Sequence, residues 1–327
     1  MPTAFVTGAT GFLGRHLIDV LEEKGWTIIA MVRNPAAARA VLDDRVTLVK
    51  GDLTDPHSIH DAMPEGVDCV FHAAADTSTW SKEAARQQRI NVEGTSTLLQ
   101  TMWNKKVGRM VYVSSIAIYG LHEDPISEDT PRLGATSWVS YVRTKAFAER
   151  KVKEAVDRGI DAVIVNPTHI VGRYDSHNWA RLIQMMADGS LPGVPPGAGN
   201  FANGRAVAEG IVAAYEKGRT GENYILSGPH ASFHEFLSIA ADLLGLPHPK
   251  KPMPEWLLKL LSRVLGFFSL FTGKRPMITP EEAYFAGEAI AVKTDKAARE
   301  LGYREVPLEQ TIREAIDYLK EEKLLDA

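Results

Sequence analysis

Short apolar runs rich in β-branched residues alternate with longer segments of helical periodicity in the first half of the chain. The apolar runs cover residues 3–7, 27–32, 46–50, 69–73, 110–114 and 162–165. The helical segments cover residues 14–24, 35–42, 58–63, 83–104 and 140–158. Strands joined by helical crossovers form a parallel sheet with helices on both faces. We therefore predict an α/β fold with a doubly wound parallel sheet.

The pattern changes after Pro167. Residues 174–203 are rich in glycine and proline, which predicts a long loop around one helix. A strand is expected over residues 223–226 and helices over 205–217, 233–244, 294–301 and 308–320, while 247–292 is proline-punctuated and mostly helical. We predict that one domain consists of residues 1–165 together with a later segment, about 205–226. The second, a smaller and mostly helical lobe, comprises 170–204 and 227–327.

Three glycines lie between the first predicted strand and the first predicted helix. Gly8, Gly11 and Gly14 have the spacing G-x-x-G-x-x-G, and they alternate with Thr10, Phe12 and Leu13. Such glycines permit a tight turn and a close approach of the backbone to a pyrophosphate, which the free N–H groups of the helix start then bind. With 26 glycines in the chain, a plain glycine-rich turn is the alternative. The position favours a dinucleotide-binding Rossmann-type domain.

The second strand is followed by a cation instead of an acid. An NAD-selective site places Asp or Glu about 20 residues after the glycines, to bind the ribose 2′-OH. No acid lies between Lys24 and Asp43, and Arg33 stands there. A guanidinium suits a 2′-phosphate, so we predict NADP(H), with NAD as the alternative cofactor and a solvated arginine as the alternative role. Asp52, after the third strand, is a candidate partner of the adenine amino group or a plain turn residue.

Tyr141 and Lys145 are spaced i, i+4, which places them on one face of a predicted helix. A nearby ammonium favours a phenolate, so we expect a lowered pKa for this tyrosine. Such a residue can exchange a proton with a substrate oxygen. Ser114 and Ser115 close the fifth predicted strand, and ligands of open α/β sheets bind at the carboxyl ends of strands.

Seven segments match a known pattern in order. They are residues 7–14, 51–55, 72–75, 91–95, 112–120, 141–145 and 166–172, with a C-terminal segment that also looks similar. Over essentially its whole length the chain resembles the extended short-chain dehydrogenase/reductase superfamily. Within it, MVRNP after the second strand resembles the dihydroflavonol-reductase-like branch, which includes bacterial proteins labelled NAD-dependent epimerase/dehydratase.

The resemblance implies roles for individual residues. It implies catalytic roles for Ser115, Tyr141 and Lys145, with Tyr141 as acid/base and Lys145 also on the nicotinamide ribose. It implies cofactor contacts for Gly8, Gly11, Gly14, Asp52, Leu53, Ala73, Ala74, Ala75, Pro167 and Thr168. Asn91 would hold the active-site backbone. Residues 201–208 depart from the family pattern because the usual histidine and acid are missing. This departure weakens any inference that the chain shares a particular substrate with members of the family.

The predicted activity is NADP(H)-dependent reduction of a carbonyl, because NADPH drives net reduction in cells. The alternatives are a sugar or nucleotide-sugar epimerase and, less favoured, a non-catalytic NADP-binding regulator. Dehydratases of the superfamily usually carry Asp-Glu after the catalytic hydroxyl, whereas Ile116 and Ala117 follow Ser115. Candidate substrate contacts are mainly apolar or aromatic: Thr77, Thr79, Trp80, Ile116, His169 and Trp179. They favour an uncharged, hydrophobic carbonyl compound, although His169 has a core role as its alternative.

The composition of the chain makes several classes of binding partner unexpected. The 327 residues carry a net charge of −4, so no nucleic-acid partner is expected. Stable membrane insertion is not expected either, because no uncharged run is long enough to span a bilayer. Cys69 is the only cysteine, which makes a disulfide impossible within the chain and a metal site unexpected. The N-terminus does not look like a signal peptide. A cytoplasmic location and a possible homodimer are our expectations.

The most apolar segment is residues 256–271, which contains Lys259 and Arg263. Its uncharged run is too short to span a bilayer. We favour a helix packed on the smaller lobe. The alternatives are a lid over an apolar substrate and an interfacial helix that touches a membrane.

Overall fold

A seven-stranded parallel sheet forms the centre of the molecule. The computed structural model describes residues 1–325. The sheet contains β1 (Thr3–Thr7), β2 (Thr27–Val32), β3 (Thr47–Lys50), β4 (Cys69–His72), β5 (Arg109–Val113), β6 (Ala162–Pro167) and β9 (Asn223–Leu226). Its strand order is β3-β2-β1-β4-β5-β6-β9, and every pairing is parallel. This confirms the predicted doubly wound α/β fold.

Alternate residues of these strands enter two different hydrophobic cores. Val6 and Phe71 belong to one core with α1 (Phe12–Glu23) and α8 (Gly204–Lys217). Phe5 and Val70 belong to a second core on the opposite face. Side chains of a strand alternate between the two faces of a sheet, so both faces are covered. Complete burial of all four residues explains why no polar alternation marked these strands in the sequence.

The other helices complete the two faces and the second lobe. They are α2 (Pro35–Ala38), α3 (Pro56–Ala62), α4 (Ala84–Gln87), α5 (Thr95–Lys105), α6 (Ser140–Val156), α7 (Ala180–Ala187), α9 (Phe233–Leu244), α10 (Glu255–Thr272), α11 (Pro280–Gly287), α12 (Asp295–Leu301) and α13 (Leu308–Glu321). The long helix predicted over 83–104 is interrupted, because a π-helical turn over Gln88–Gly94 separates α4 from α5.

A small sheet lies in the second half of the chain, where a long loop was predicted. It contains β7 (His169–Val171), β8 (Ala198–Asn203) and β10 (His230–Ser232). The strand β8 pairs in parallel with β7 and antiparallel with β10. The prediction of a loop across 174–203 was therefore wrong for β8, whose hydrogen-bond partners lie far away in the sequence. The boundaries of the two predicted domains stay a prediction.

The helix α10 packs on α11 in the second half of the chain, as we favoured from the sequence, but it buries only a small part of its apolar surface there. Leu258 is buried, but most of the large apolar side chains of α10 are exposed. Those that are exposed are Trp256, Leu257, Leu260, Val264, Phe267, Phe268, Leu270 and Phe271. Within residues 1–325, no helix is both long and apolar enough to cross a membrane.

Candidate active site

The glycine turn after β1 is shaped by close contacts between backbone atoms. Gly8 has a φ of +80°, and a Cβ there would lie 2.6 Å from the Ala74 nitrogen. A Cβ on Gly14 would lie 1.9 Å from the Gly8 oxygen. Gly11 is the N-cap of α1 and donates its N–H to the Gly8 oxygen at 3.0 Å. The turn therefore leaves backbone exposed at the start of a helix, which fits a dinucleotide pyrophosphate.

This turn lies where the strand order reverses. The chain proceeds outward from β1 through β2 and β3, and then returns to β4 on the other side of β1. In open α/β sheets, such a reversal creates a crevice at the carboxyl ends of the strands. Ala73, Ala74 and Ala75 directly follow β4, and the Ala74 nitrogen donates to Thr7 Oγ1 at 3.3 Å. The glycine turn and this alanine segment thus form two walls of one crevice.

The predicted adenosine-side residues lie along the same edge. Arg33 is exposed directly after β2. Asp52 Oδ1 accepts hydrogen bonds from the nitrogen and the hydroxyl of Thr54, both at 2.8 Å. Asp52 thus has the turn role that we considered, and its contact with adenine stays a prediction. Leu53 is buried against Gly94, at the end of the π-helical turn.

Asn91 connects the crevice to the helix that carries Tyr141. Its Oδ1 accepts the backbone N–H of Asp76 at 2.7 Å, and its Nδ2 donates to the Asp76 oxygen at 3.0 Å. The same Nδ2 lies 3.1 Å from Oγ1 of Thr144 on α6. Because Asn91 lies within the π-helical turn, that distortion of the helix aims its amide at both elements. These contacts agree with the predicted role in holding the active-site backbone.

Ser115 and Tyr141 are brought together by β5 and α6. Ser115 is the second residue after β5, and its Oγ accepts the Ala117 N–H at 3.2 Å. Tyr141 lies in the first turn of α6. Burial raises the pKa of Tyr141, and the nearby polar side chain of Ser115 opposes that rise. Our expectation of a lowered pKa was wrong, because desolvation of the phenol dominates.

Lys145 lies one turn further along α6, and its ammonium is buried. Its Nζ donates to the Val113 oxygen at 2.7 Å and lies 4.6 Å from the centre of the Tyr112 ring. Burial lowers the pKa of Lys145 to about 7, although the carboxylate of Glu149 opposes this change. Lys145 therefore titrates close to neutral pH, which is typical of functional lysines.

The backbone beyond β6 adds the last predicted cofactor contacts. Pro167 is buried at the end of β6, and Thr168 follows it. The Thr168 nitrogen donates to the Leu226 oxygen of β9 at 3.1 Å, and its hydroxyl lies 3.5 Å from Ser227 Oγ. These bonds hold the segment at the carboxyl edge of the sheet, next to the end of β5 that precedes Ser115.

The predicted substrate residues fall into separate groups. Thr77, Thr79 and Trp80 lie on the loop between β4 and α4, and Arg275 donates to Thr79 Oγ1 at 2.9 Å. Ile116 is buried in a small core with Ile118, Tyr119, Ile126 and Ile225. In both groups, the predicted contacts with a substrate stay a prediction.

His169 and Trp179 form another group, in the core of the small sheet. Their ring centres are 4.3 Å apart, and His169 also stacks on Phe233. Burial lowers the pKa of His169 to about 4. This environment agrees with the core role that was our alternative for His169.

Two aromatic residues near the site were missed from the sequence. Phe285, on α11, lies 6.4 Å from Tyr141 between ring centres, in an edge-to-face arrangement. Tyr284 lies 5.5 Å from Phe285 and 5.7 Å from Trp138. Because α11 is far from α6 in the sequence, no local pattern linked these residues to Tyr141. They give the site an aromatic wall.

Glu149 was also missed, although it continues the i, i+4 series from Tyr141 and Lys145. It is buried, and its carboxylate accepts Nδ2 of Asn166 at 3.0 Å and Nδ2 of Asn223 at 2.9 Å. Arg132 Nε lies 3.0 Å from the same carboxylate. The buried carboxylate is therefore surrounded by polar partners, one turn along α6 from Lys145.

The chain belongs to the NAD dependent epimerase/dehydratase family, whose model matches residues 4–227. A putative dihydroflavonol 4-reductase of Synechocystis sp. is 29% identical over 324 residues, which cover 97% of this chain and 94% of the relative. The 4-hydroxy-2-methyl-3-oxo-4-farnesyl-3,4-dihydroquinoline-1-oxide ketoreductase of Stigmatella aurantiaca is 31% identical over 310 residues, or 91% of each chain. The crystal structure of gox2253 has a TM-score of 0.84 at 29% identity, over the whole of both chains. The predicted membership of the extended short-chain dehydrogenase/reductase superfamily is confirmed.

Proposed function

We propose that this protein is an NADP(H)-dependent reductase that converts an uncharged, hydrophobic ketone or aldehyde to an alcohol. The observation that carries the proposal is the placement of Tyr141 beside Ser115 at the carboxyl end of the parallel sheet, where burial raises the pKa of Tyr141. A tyrosine with such a pKa is protonated at neutral pH, and reduction of a carbonyl needs a proton donor at the oxygen.

Cofactor binding is assigned to the crevice between the glycine turn and the alanine segment. Gly8, Gly11 and Gly14 would hold the pyrophosphate, and Arg33 would hold the 2′-phosphate of NADP. Lys145 would bind the nicotinamide ribose, and Pro167 with Thr168 would lie beside the ring. When bound, the reduced nicotinamide supplies the hydride.

The chain's own residues would handle the substrate oxygen. Ser115 and Tyr141 would both donate hydrogen bonds to it, which orients the carbonyl and stabilises the negative charge that develops there. Tyr141 would then transfer its proton to this oxygen. Lys145 in its charged form would stabilise the resulting phenolate until solvent restores the proton.

The substrate class is inferred from the walls of the site and from the relatives. Phe285 adds an aromatic ring beside Tyr141, and Tyr284 and Trp138 extend this wall. A relative named as a ketoreductase of a farnesyl-bearing quinoline oxide supports a large apolar ketone. Apolar walls favour such compounds over a nucleotide diphosphate, which would need several convergent cations.

The variant Tyr141→Phe tests the reaction. It retains the ring and removes the proton donor, so we expect turnover in an NADPH-consumption assay with apolar ketones to fall by about 10²-fold or more. Tyr119→Phe is the matched control, because the Tyr119 hydroxyl is buried without a hydrogen-bond partner in the described chain, and it should retain turnover. An active Tyr141→Phe would contradict the mechanism. Tightly held NAD in the purified protein, with no net reduction, would point to epimerase chemistry.

The variant Arg33→Ala tests the cofactor in the same preparation. Loss of a charge-assisted contact should weaken NADPH binding by about tenfold or more and leave NADH binding unchanged. Titration calorimetry measures both affinities. Arg158→Ala, an exposed arginine beyond the far end of α6, should change neither. Equal losses for NADPH and NADH would refute a role at the 2′-phosphate.

A further inference from the structure

The helix α10 presents its apolar side chains to solvent. Trp256, Leu260, Val264, Phe267 and Phe271 recur at intervals of three or four residues, so they form one stripe along the whole helix. Trp256 is 66% exposed and Phe271 is 76% exposed. A contiguous apolar surface of this length is unusual on a protein that stands alone in water.

The side of α10 that faces the protein fully buries only Leu258, Ser262 and Ser269, so it contains few of the large apolar side chains of the helix. Ser262 and Ser269 are buried, and their hydroxyls donate to the oxygens of Lys259 and Gly266 within the helix, at 3.0 Å and 2.7 Å. A helix that packs on a lobe buries its apolar stripe instead. Most of the large apolar side chains of α10 therefore remain on its solvent face, which indicates that its apolar stripe serves an external contact.

The charges around this stripe are strongly positive, although the whole chain is acidic. Residues 250–277 contain six Lys and Arg residues and a single acid, Glu255, whereas the net charge of the chain is −4. Among the described residues, ion pairs are formed with Lys259 by Glu255 and with Arg275 by Glu282. Four further exposed cations of this segment have no ion pair within residues 1–325: Lys250, Lys251, Arg263 and Lys274.

We propose that the face formed by α10 and its flanking cations is a docking surface for an anionic lipid bilayer. An apolar stripe with aromatic residues and basic flanks is the composition of helices that lie in the plane of a membrane interface. Lysine and arginine on both sides of the stripe complement the charge of anionic headgroups. A second protein surface would not by itself account for cations at both ends of the helix.

A cavity beside α10 places this surface next to the loop between β4 and α4, which contains the candidate substrate residues Thr77, Thr79 and Trp80. Its volume is about 330 Å³, and it lies between Trp80 and Lys82 on one side and Phe267 and Leu270 on the other. Lys82 Nζ donates to the Ser269 oxygen at 3.2 Å, which joins the loop after β4 to α10. Docking of α10 would bring this cavity to the membrane surface, where apolar compounds partition.

Vesicle flotation with the purified full-length protein tests the proposal. We expect the protein to float with vesicles of phosphatidylcholine that contain about 30% phosphatidylglycerol, and to remain below vesicles of phosphatidylcholine alone. The double variant Phe268→Glu/Phe271→Glu should lower the bound fraction by about tenfold or more, because charges replace two exposed phenyl rings. Addition of about 0.5 M NaCl should weaken the binding of the native protein.

The matched control is Trp103→Glu, which places a charge on another exposed aromatic position, on α5. It should bind vesicles like the native protein, and thermal melting should show that all variants are folded. Equal flotation of the double variant, no flotation of the native protein, or equal binding to neutral vesicles would overturn the proposal. Sedimentation without lipid tests whether a second copy of the chain covers this face instead. A native dimer that becomes monomeric in the double variant, together with no vesicle binding, would assign the face to a second copy.

Discussion

At the scale of single residues, burial acts in opposite directions on the two titrating groups of the site. It raises the pKa of Tyr141 and lowers the pKa of Lys145 to about 7, because desolvation favours the neutral form of each. Glu149 counteracts the second effect from one turn further along α6. Its carboxylate accepts hydrogen bonds from the amides of Asn166 and Asn223, which offset the cost of burying it. We infer that Glu149 is a positioning residue that keeps Lys145 charged.

The variant Glu149→Gln should lower the pKa of Lys145 below about 7. Less of the lysine is then protonated at neutral pH, so turnover should fall there and the pH optimum should move to lower pH. A pH–rate profile of NADPH-dependent turnover measures the shift, and we expect about one pH unit. Glu154→Gln, at a partly exposed position on the same helix, is the control with an unchanged profile. A loss of turnover at every pH without a shifted optimum would mean that Glu149 has only a structural role.

At the scale of elements, the turn between β1 and α1 has no space for a side chain. A Cβ on Gly14 would lie 1.9 Å from the Gly8 oxygen, so Gly14→Ala must push α1 away from β1. We expect at least a tenfold loss of NADPH affinity, and a loss of unfolding free energy of about 1–3 kcal/mol from overpacking. Calorimetry and chemical denaturation measure the two effects.

Gly266→Ala in α10 is the control for that variant. A Cβ there would meet Pro280 Cγ at 3.5 Å, an ordinary contact, and alanine favours a helix by up to about 1 kcal/mol. We therefore expect unchanged or slightly increased stability and normal NADPH binding. Normal NADPH binding by Gly14→Ala would show that the turn can open without harm.

Strands and helices were predictable where the pattern that defines them lies within the local sequence. The six strands from β1 to β6 are short runs dominated by apolar residues, and α9 has the predicted bounds because an apolar stripe continues over its whole length. The strand β8 was missed because Gly199 and Asn200 interrupt its pattern, and its pairing with β7 and β10 joins distant segments. The position of Phe285 beside Tyr141 depends on how α11 packs on the rest of the chain. Contacts of that kind are decided by tertiary packing and not by spacing in the sequence.

At the scale of the whole molecule, the buried histidines His72 and His16 link parts of the fold in their neutral form. His72 accepts or donates hydrogen bonds with Thr7 at 2.7 Å and Thr95 at 2.9 Å, which joins β4 to β1 and α5. His16 lies 2.7 Å from the Arg173 oxygen. Burial lowers the pKa of His72 to about 3, and it lowers those of His16 and His169 to about 4.

These pKa values predict how the stability of the fold depends on pH. A histidine in the unfolded chain has a pKa of about 6.5, so the unfolded state binds protons that the folded state excludes as the pH falls below that value. The stabilisation is complete above pH 6.5 or so and is lost progressively towards the folded pKa. Each histidine should contribute a loss of about 1.5 kcal/mol of unfolding free energy between pH 6.5 and about 5.

The variant His72→Gln isolates one of these contributions. Carboxyl groups such as Asp175, whose pKa is raised by burial, act in the opposite direction, so the comparison must be between the variant and the native protein. Glutamine retains hydrogen-bonding groups near Thr7 and Thr95 but does not titrate. Between pH 6.5 and about 5, the free energy of unfolding of the variant should therefore fall by about 1.5 kcal/mol less than that of the native protein. Urea denaturation at both pH values measures the difference. The control is His57→Gln, at an exposed position on α3, which should behave like the native protein. If His72→Gln showed the same pH dependence of stability as the native protein, His72 would accept a proton without breaking its contacts.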